Sequence, residues 1–368
     1  MNKAIKYRLY PTTEQEMMFA KTFGCCRKVY NLMLADKISC YQETKSFGKQ
    51  TPAMYKTEFP FLKEVDSLAL ANVQLNLQSA MKSCFDKFRK RQNGFPKFKS
   101  AKHSRKSYTT NNQKGTVAII ADKYIRLPKI GLVKAVIHRK PDDDWNLKSA
   151  TITQDSDGKF YASILFEYDK AVTPVIISNN VIGLDYKSDG LYMDSNGYHP
   201  SGHKYYRRSQ EKLAHAQRKL KHMVTGSNNY KKQQRRIAKI QKHTSNQRLD
   251  FLHKESTKIA NSYDLVCVES LDMKAMSNKG FGNGKATLDN GYGMFLNMLE
   301  YKLTDRGKYF IKVDKWYPSS QICSCCGRQK KLTLADRIYK CDCGLSINRD
   351  LNAAINIRNE GLRILKSA

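Results

Sequence analysis

Two apolar runs of strand length, each ending in an acid, constrain the fold most. Residues 181–185 read VIGLD, residues 265–269 read LVCVE, and residues 309–313 (YFIKV) form a third largely apolar run. Such runs are typical of strands buried on both faces, as in the parallel sheets of α/β proteins. Because an unpaired acid is costly inside such a strand, we expect Asp185 and Glu269 at strand carboxyl ends, facing a crevice.

A third acid begins a helix near the C-terminus. Residues 350–357 (DLNAAINI) have a strong helix-start pattern with Asp350 in the first turn. Taken singly, Asp185, Glu269 and Asp350 are each explained more simply as turn or cap residues. Together they would place three carboxylates at one end of a mixed sheet, and Mg²⁺ prefers such ligands. Two ions about 4 Å apart can activate water and stabilise the leaving oxygen of a phosphodiester. The hypothesis is a catalytic site with two magnesium ions.

Four cysteines have the spacing of a structural metal site. Cys323 and Cys326 are separated by two residues, and after fourteen more come Cys341 and Cys343, separated by one. Four thiolates complete a tetrahedron around Zn²⁺ and leave no open position, which predicts one structural zinc ion. The paired spacing disfavours unrelated buried cysteines, but Cys325 remains a competing ligand. With no secretion signal in the sequence, we expect the thiols to stay reduced.

The charge predicts a polyanionic partner. The chain has 65 Lys and Arg against 33 Asp and Glu, a net charge of +32, which favours nucleic acid ahead of an anionic membrane surface. Residues 201–260 contain sixteen basic and three acidic residues. Their apolar positions recur at helical spacing around Gly226, which predicts two basic helices joined by a turn. A solvated face normally mixes both signs, so the shortage of acids favours nucleic-acid contact. No apolar run of about 18 residues is present, so we expect no membrane partner and a cytoplasmic location.

The first half of the chain indicates a helical region and a small β-domain. Residues 4–10 alternate like a half-buried strand, and a capping box at Thr13 and Glu16 predicts a helical region that extends to about residue 92. Short β-rich runs between residues 108 and 168 predict a β-domain that the N-terminal strand completes. Nine basic residues between residues 87 and 106 accompany four phenylalanines, whose rings either stack on bases or pack inward.

Eight short motifs, in order along nearly the whole chain, then carry a resemblance to a known family. They are residues 7–11 (YRLYP), 24–31 (GCCRKVYN), 126–131 (RLPKIG), 183–186 (GLDY), 246–251 (NQRLDF), 268–271 (VESL), 317–320 (YPSS) and 349–354 (RDLNAA). In these motifs the chain resembles TnpB, the RNA-guided DNA endonucleases of bacterial insertion sequences, which are relatives of type V CRISPR effectors.

The resemblance implies an α/β fold class with added β and α modules. A RuvC nuclease domain of RNase H-like fold would contain a zinc ribbon and follow a β-barrel-like wedge domain and a helical recognition domain. Asp185, Glu269 and Asp350 would form its metal-binding triad. The expected domains are a first wedge strand (1–10), the recognition domain (11–104), the wedge (105–175), the nuclease domain with its basic hairpin near 201–260 (176–320), the ribbon (321–345) and the last nuclease segment with the tail (346–368).

The resemblance also implies the activity: a Mg²⁺-dependent endonuclease that binds a guide RNA, recognises a short flanking motif and cleaves complementary double-stranded DNA. The alternatives are a nuclease-inactive RNA-guided repressor and a transposase accessory protein. A transposase encoded by the same element is a further candidate partner, and the location would be the bacterial cytoplasm, on the nucleoid when DNA is bound. The family commonly has Asp where this chain has Asn348, but the metal ligand is Asp350, so we expect activity to survive. The expected nucleic-acid contacts are Arg8, Arg27, Lys87, Arg89, Lys97, Lys99, Arg207, Arg208, Lys231, Lys232, Arg235, Arg236 and Arg248.

Overall fold

The structure is a computed structural model that describes residues 1–85, 94–169, 172–175, 180–201, 204–278, 284–333 and 335–367. The chain divides into two compact units, Met1–Lys170 and Ala171–Ala368. None of the helices in these ranges is both long and apolar enough to cross a bilayer.

The first unit is built on a seven-stranded antiparallel sheet. Its strands are β1 (Asn2–Tyr10), β2 (Lys106–Asn111), β3 (Ala118–Ile120), β4 (Tyr124–Leu127), β5 (Gly131–Val136), β6 (Asn146–Gln154) and β7 (Phe160–Glu167). They lie in the order β2-β6-β7-β1-β5-β4-β3. The strand from the start of the sequence therefore lies inside the sheet, paired with β7 and β5. Its alternate residues Ile5, Tyr7 and Leu9 are buried, as the period of two requires.

Two helices complete this unit, α1 (Thr13–Thr44) and α2 (Ser67–Phe85). Phe19 of α1 stacks on Phe160 of the sheet with ring centroids 5.3 Å apart. The capping box is shifted by one residue from the predicted position. The Thr12 hydroxyl accepts a hydrogen bond from the backbone N–H of Gln15, and the Gln15 side-chain oxygen accepts one from the backbone N–H of Thr12. The prediction was wrong here because Thr12 and Thr13 are adjacent, and each is followed three positions later by a side chain that can complete a capping box, Gln15 or Glu16. The predicted end of the helical region, near residue 92, lies outside the described residues.

The second unit contains a four-stranded mixed sheet. Its strands are β8 (Val181–Lys187), β9 (Leu191–Asp194), β10 (Leu265–Glu269) and β11 (Tyr309–Val313), in the order β11-β10-β8-β9. Strands β8, β10 and β11 are parallel, and β9 pairs with β8 in the antiparallel sense. The helices are α3 (Tyr205–Lys221), α4 (Asn228–Ser262), α5 (Met273–Met276), α6 (Gly284–Asn290), α7 (Tyr292–Thr304) and α8 (Arg349–Lys366). A short hairpin of β12 (Ile338–Lys340) and β13 (Ser346–Asn348) precedes α8.

Both faces of this sheet are covered, which explains the apolar runs. Val266 and Val268 pack with α4 and α7 on one face, whereas Leu265 and Cys267 pack with Ile357 of α8 on the other. Helix α8 lies unusually close to the strands. A Cβ atom at Gly183 would lie 2.1 Å from the carbonyl oxygen of Ala354.

Candidate metal centres and nucleic-acid surfaces

Asp185 and Glu269 lie at the same edge of the sheet. Leu184 of β8 is in register with Val268 of β10, so the two acids follow on neighbouring parallel strands. Neighbouring strands are about 4.8 Å apart, which holds the two backbones close together. Both acids remain partly exposed and therefore open to solutes.

The third acid, Asp350, lies in the first turn of α8 and is held there by a helix cap. The side-chain oxygen of Asn348 accepts hydrogen bonds from the backbone N–H groups of Asp350, at 2.9 Å, and Leu351, at 3.2 Å. Asn and Asp cap helices about equally well because each offers a side-chain oxygen. The residue at which this chain departs from the family it resembles therefore still performs a structural role.

The three carboxylates interact electrostatically. Burial raises the pKa of Asp185 well above its usual value, and the charges of Glu269 and Asp350 raise it further. Burial also raises the pKa of Glu269. Two cations lie beside Asp350: Lys187 Nζ is 3.6 Å and Arg349 Nε 3.7 Å from its carboxylate oxygens. The charge of Arg349 also acts on Asp185, where it lowers the pKa. A divalent cation would relieve the repulsion among the acids, so this donor set fits Mg²⁺.

Tyr292, at the first position of α7, is a buried residue that the sequence did not indicate and on which the charges of this site act. Its side chain is fully buried, and the charges of Asp185 and Glu269 act on its hydroxyl; burial, with those charges, raises its pKa well above the usual value. It follows Asp185 by more than a hundred positions, and no local pattern relates the two.

The four predicted cysteines come together, and Cys325 does not join them. The sulfur atoms of Cys323 and Cys343 are 3.6 Å apart, as are those of Cys326 and Cys341. Four ligands about 2.3 Å from a tetrahedral Zn²⁺ lie about 3.8 Å from one another, so the arrangement fits the ion. Cys325 is exposed and lies outside this group.

Two tight turns explain why the unequal cysteine spacings still converge. The Gly327 N–H bonds to the Cys323 carbonyl and the Gly344 N–H to the Cys341 carbonyl, and both glycines have positive φ, 77° and 92°, which glycine adopts without strain. Burial raises the pKa of Cys323, but backbone N–H donation from Cys326 and Cys325 and the neighbouring thiols lower it to about 7 overall. The thiolate of Cys323, the form that binds metal, is therefore accessible at neutral pH.

Two buried asparagines join the first cysteine turn to α8, the helix that begins with Asp350. Asn352 accepts from the Ser324 N–H at 3.0 Å and donates to the Ile322 carbonyl at 2.7 Å. Asn356 donates to the same Ile322 carbonyl and to that of Ser319. The cysteine group is thus connected to the helix that bears the acid through the hydrogen bonds of two buried side chains.

The basic hairpin forms as predicted, from α3 and α4. The basic residues expected to contact nucleic acid are exposed on it, with one exception; they are Arg207, Arg208, Lys231, Lys232, Arg235 and Arg236. The exception is Arg248, whose guanidinium forms an ion pair with the buried Asp289 at 2.8 Å. The backbone N–H of Tyr206 donates to the same carboxylate. Arg248 therefore helps to join α3, α4 and α6.

The first unit has a basic cleft of about 240 Å³ that includes two of the predicted contacts, Arg27 and Lys99, together with Arg105 and Asn72. Lys97 is exposed nearby. Arg8 instead donates to the Phe160 carbonyl at 3.2 Å. Two further predicted contacts, Lys87 and Arg89, lie outside the described residues, as does Phe88.

The phenylalanines of the basic segment do not pack fully inward where the structure describes them. Phe85, Phe95 and Phe98 are 48, 42 and 58% exposed. Phe85 contacts the rings of Phe47 and Phe95, and all three rings keep part of their surface open to solvent.

Comparisons of sequence and comparisons of structure relate this chain to the same group of proteins. Three family models match: "Helix-turn-helix domain" at residues 1–46, "Probable transposase" at residues 163–280 and "Cas12f1-like, TNB domain" at residues 292–357. A Streptomyces pristinaespiralis protein named "Putative RNA-guided DNA endonuclease" is 32% identical, over 98% of this chain and 90% of that protein. "Putative RNA-guided DNA endonuclease InsQ" of Escherichia coli K12 is 30% identical over 99% and 93%.

The fold also resembles a solved structure. The Cas12f1 chain in a cryo-EM structure of a Cas12f1–sgRNA–target DNA complex superposes with a TM-score of 0.63 over 98% of this chain and 99% of that one, at 14% identity. This similarity confirms the predicted fold class, a RuvC-type nuclease fold with accessory β and α modules and a cysteine ribbon.

Proposed function

We propose, because this chain belongs to the TnpB-type family of RNA-guided DNA endonucleases, that it binds a guide RNA and cleaves complementary DNA by Mg²⁺-dependent phosphodiester hydrolysis. The family resemblance carried by the sequence motifs is confirmed. Relatives named for RNA-guided cleavage match the chain over nearly its whole length, and the related fold holds guide RNA and target DNA in its complex.

One observation carries the catalytic part of the proposal: three carboxylates from β8, β10 and α8 interact at one edge of the sheet. Asp185, Glu269 and Asp350 would hold Mg²⁺, which supplies an activated water and neutralises the leaving oxygen when bound. The chain itself fixes the backbones that bear these carboxylates through strand pairing and the helix cap. Because all three acids are present, the nuclease-inactive alternative is disfavoured.

The charge distribution supports the binding part of the proposal. Exposed arginines and lysines of the α3–α4 hairpin can neutralise phosphates without reading sequence, as RNA guidance requires, since base pairing then selects the target. The cleft that includes Arg27 and Lys99 offers a second surface of the same character.

We also assign a structural Zn²⁺ to Cys323, Cys326, Cys341 and Cys343. The four thiols leave no ligand position for substrate, so the ion would stabilise the fold and take no part in chemistry. Through Asn352 and Asn356 it would also hold the first turn of α8.

The test of this function is cleavage by variants of single acids. Asp185→Ala, Glu269→Ala and Asp350→Ala should each abolish cleavage while guide RNA still binds, because each removes a metal ligand and no guide contact. Asp314→Ala is the matched control: its acid follows β11 at the same sheet edge, and its side chain accepts from the Trp316 N–H. Near-normal cleavage by a triad variant would remove that residue from the assignment.

A further inference from the structure

Trp316 is the most exposed aromatic side chain in the described part of the chain, at 78%. It lies in the second unit, in the segment that leads from β11 towards the first cysteine turn. A single exposed apolar side chain is common and needs no explanation by itself. The position of this one, its fixed support and the cation beside it together indicate a function.

Trp316 follows β11 at the same edge of the sheet as the proposed metal ligands. Val313, the last residue of β11, is in register with Glu269 on β10. Paired strands are about 4.8 Å apart and three extended residues span at most about 10 Å, so the backbone of Trp316 lies within about 15 Å of that of Glu269. This distance corresponds to no more than about four nucleotides of a stacked strand, which rises about 3.4 Å per nucleotide.

The turn that bears Trp316 is held on both sides. Strand pairing fixes β11, and the Tyr317 N–H donates to the Asp314 carbonyl at 3.1 Å. After the turn, half-buried Tyr317 packs against the core that β10, β11 and α8 share, and Asn356 of α8 donates to the Ser319 carbonyl at 2.7 Å. The indole is therefore exposed on a fixed support. Because these contacts do not involve the Asp314 carboxylate, the control variant Asp314→Ala should retain the turn.

The chemistry of the exposed side chains fits one kind of ligand. The Lys315 Nζ lies 4.6 Å from the centroid of the Trp316 ring, and its positive charge favours an anionic ligand. An open aromatic face can stack on a nucleobase while a neighbouring ammonium meets the phosphate. The bases of a duplex are already stacked on one another, so the matching ligand is an unpaired strand.

We propose that Trp316 is a stacking platform for a base of the unpaired DNA strand as that strand enters the metal centre. The inference rests on the proposed function, because pairing of a guide RNA with one DNA strand leaves the other strand unpaired. Stacking would hold the strand close to the three carboxylates. A stacked base contributes about 1–3 kcal/mol, which corresponds to about 5- to 150-fold in affinity.

The first test observes the ring directly. The chain has two tryptophans, so Trp145→Phe leaves Trp316 as the only one. With this variant loaded with guide RNA, and without divalent ions, an oligothymidylate of about ten nucleotides should quench the tryptophan fluorescence. Trp316→Phe, which leaves Trp145, should show no quenching, because Trp145 already stacks on Tyr168 with ring centroids 4.4 Å apart.

The second test compares affinities for the same oligothymidylate at raised salt, where phosphate contacts weaken. Trp316→Ala should bind about 5- to 150-fold more weakly than the wild type and melt at the same temperature, whereas Trp316→Phe, which keeps a ring, should recover most of the affinity. Tyr301→Ala is the matched control. Tyr301 is 47% exposed near the end of α7 that leads into β11, away from the carboxyl end of that strand, and its loss should leave the affinity unchanged.

Three results would overturn the inference. Equal affinity of Trp316→Ala and the wild type, with no quenching, would remove the platform while guide-directed cleavage, and with it the proposed function, stands. Fluorescence that changes with protein concentration and not with the oligonucleotide would mean that a second copy of the chain covers the ring. If the wild type shows no guide-directed cleavage, the proposed function is refuted and the inference falls with it.

Discussion

Replacing Gly183 by alanine should move the two halves of the proposed catalytic site apart. The added Cβ atom would lie 2.1 Å from the Ala354 carbonyl oxygen and 2.6 Å from the Arg358 nitrogen, both backbone atoms of α8. Ordinary contact needs about 3.4 Å, so α8 would have to retreat from β8 by roughly 1 Å. Asp185 lies two residues along β8, and Asp350 lies at the start of α8.

The magnitude follows from the size of that displacement. Overpacking of this kind costs about 1–3 kcal/mol of stability, which for a unit of this size lowers the melting temperature by roughly 3–10 °C. A misplacement of about 1 Å at a catalytic site can lower the rate by about 100-fold. We therefore expect Gly183→Ala to retain guide RNA and lose about two orders of magnitude in single-turnover cleavage.

The control is Gly293→Ala in α7. No heavy atom lies within 4 Å of a Cβ built there, so alanine should stabilise the helix by about 0.5–1 kcal/mol and leave cleavage unchanged. Wild-type cleavage and an unchanged melting temperature in Gly183→Ala would refute the claim that close packing of α8 on β8 sets the position of Asp350.

The remaining predictions concern the ribbon and the start of α8. Metal analysis of the wild type should find about one Zn²⁺ per chain. Cys323→Ser should release this zinc and reduce cleavage, whereas Cys325→Ser should retain the zinc and the cleavage; loss of zinc from Cys325→Ser alone would reverse the ligand assignment. Asn352→Ala should keep the zinc but destabilise the protein by about 1–3 kcal/mol, read by thermal melting, because it removes two hydrogen bonds of a buried side chain and leaves the Ser324 N–H unpaired; an unchanged melting temperature would contradict the proposed connection. Asn348→Asp should cleave like the wild type, and Asn348→Ala should lose about 1 kcal/mol of stability, measured by thermal melting. An equal loss of stability in Asn348→Asp would rule out the capping role.

The parts of the site that could be predicted from sequence are those whose signal is local. An apolar run that ends in Asp185 or Glu269 indicates a strand that is buried on both faces and has an exposed carboxyl end. The paired spacing of the cysteines indicates a metal-binding ribbon. Both follow from a few consecutive residues. The N-terminal strand was predictable because alternation with a period of two needs only seven residues to show.

The parts that sequence reasoning missed depend on partners far along the chain. Arg248 was expected on nucleic acid, but its guanidinium pairs with Asp289, 41 positions later. Tyr292 and Asn352 carry no local mark of their neighbours, since tyrosine and asparagine occur at many ordinary positions. The α3–α4 hairpin shows the same limit: composition indicates a basic surface, while only packing shows which cations face solvent.

The central claim is that the RNA, and not the protein, selects the DNA that is cut. The direct measurement is cleavage of two DNA targets by one protein preparation, loaded in turn with two RNAs that share a scaffold and differ only in the guide segment. We expect each RNA to direct cutting of its own complementary target in the presence of Mg²⁺, with no sequence-specific cutting by the protein alone and none by Asp185→Ala. Cutting of the same DNA site with either RNA would mean that the protein reads bases itself, and it would contradict the account.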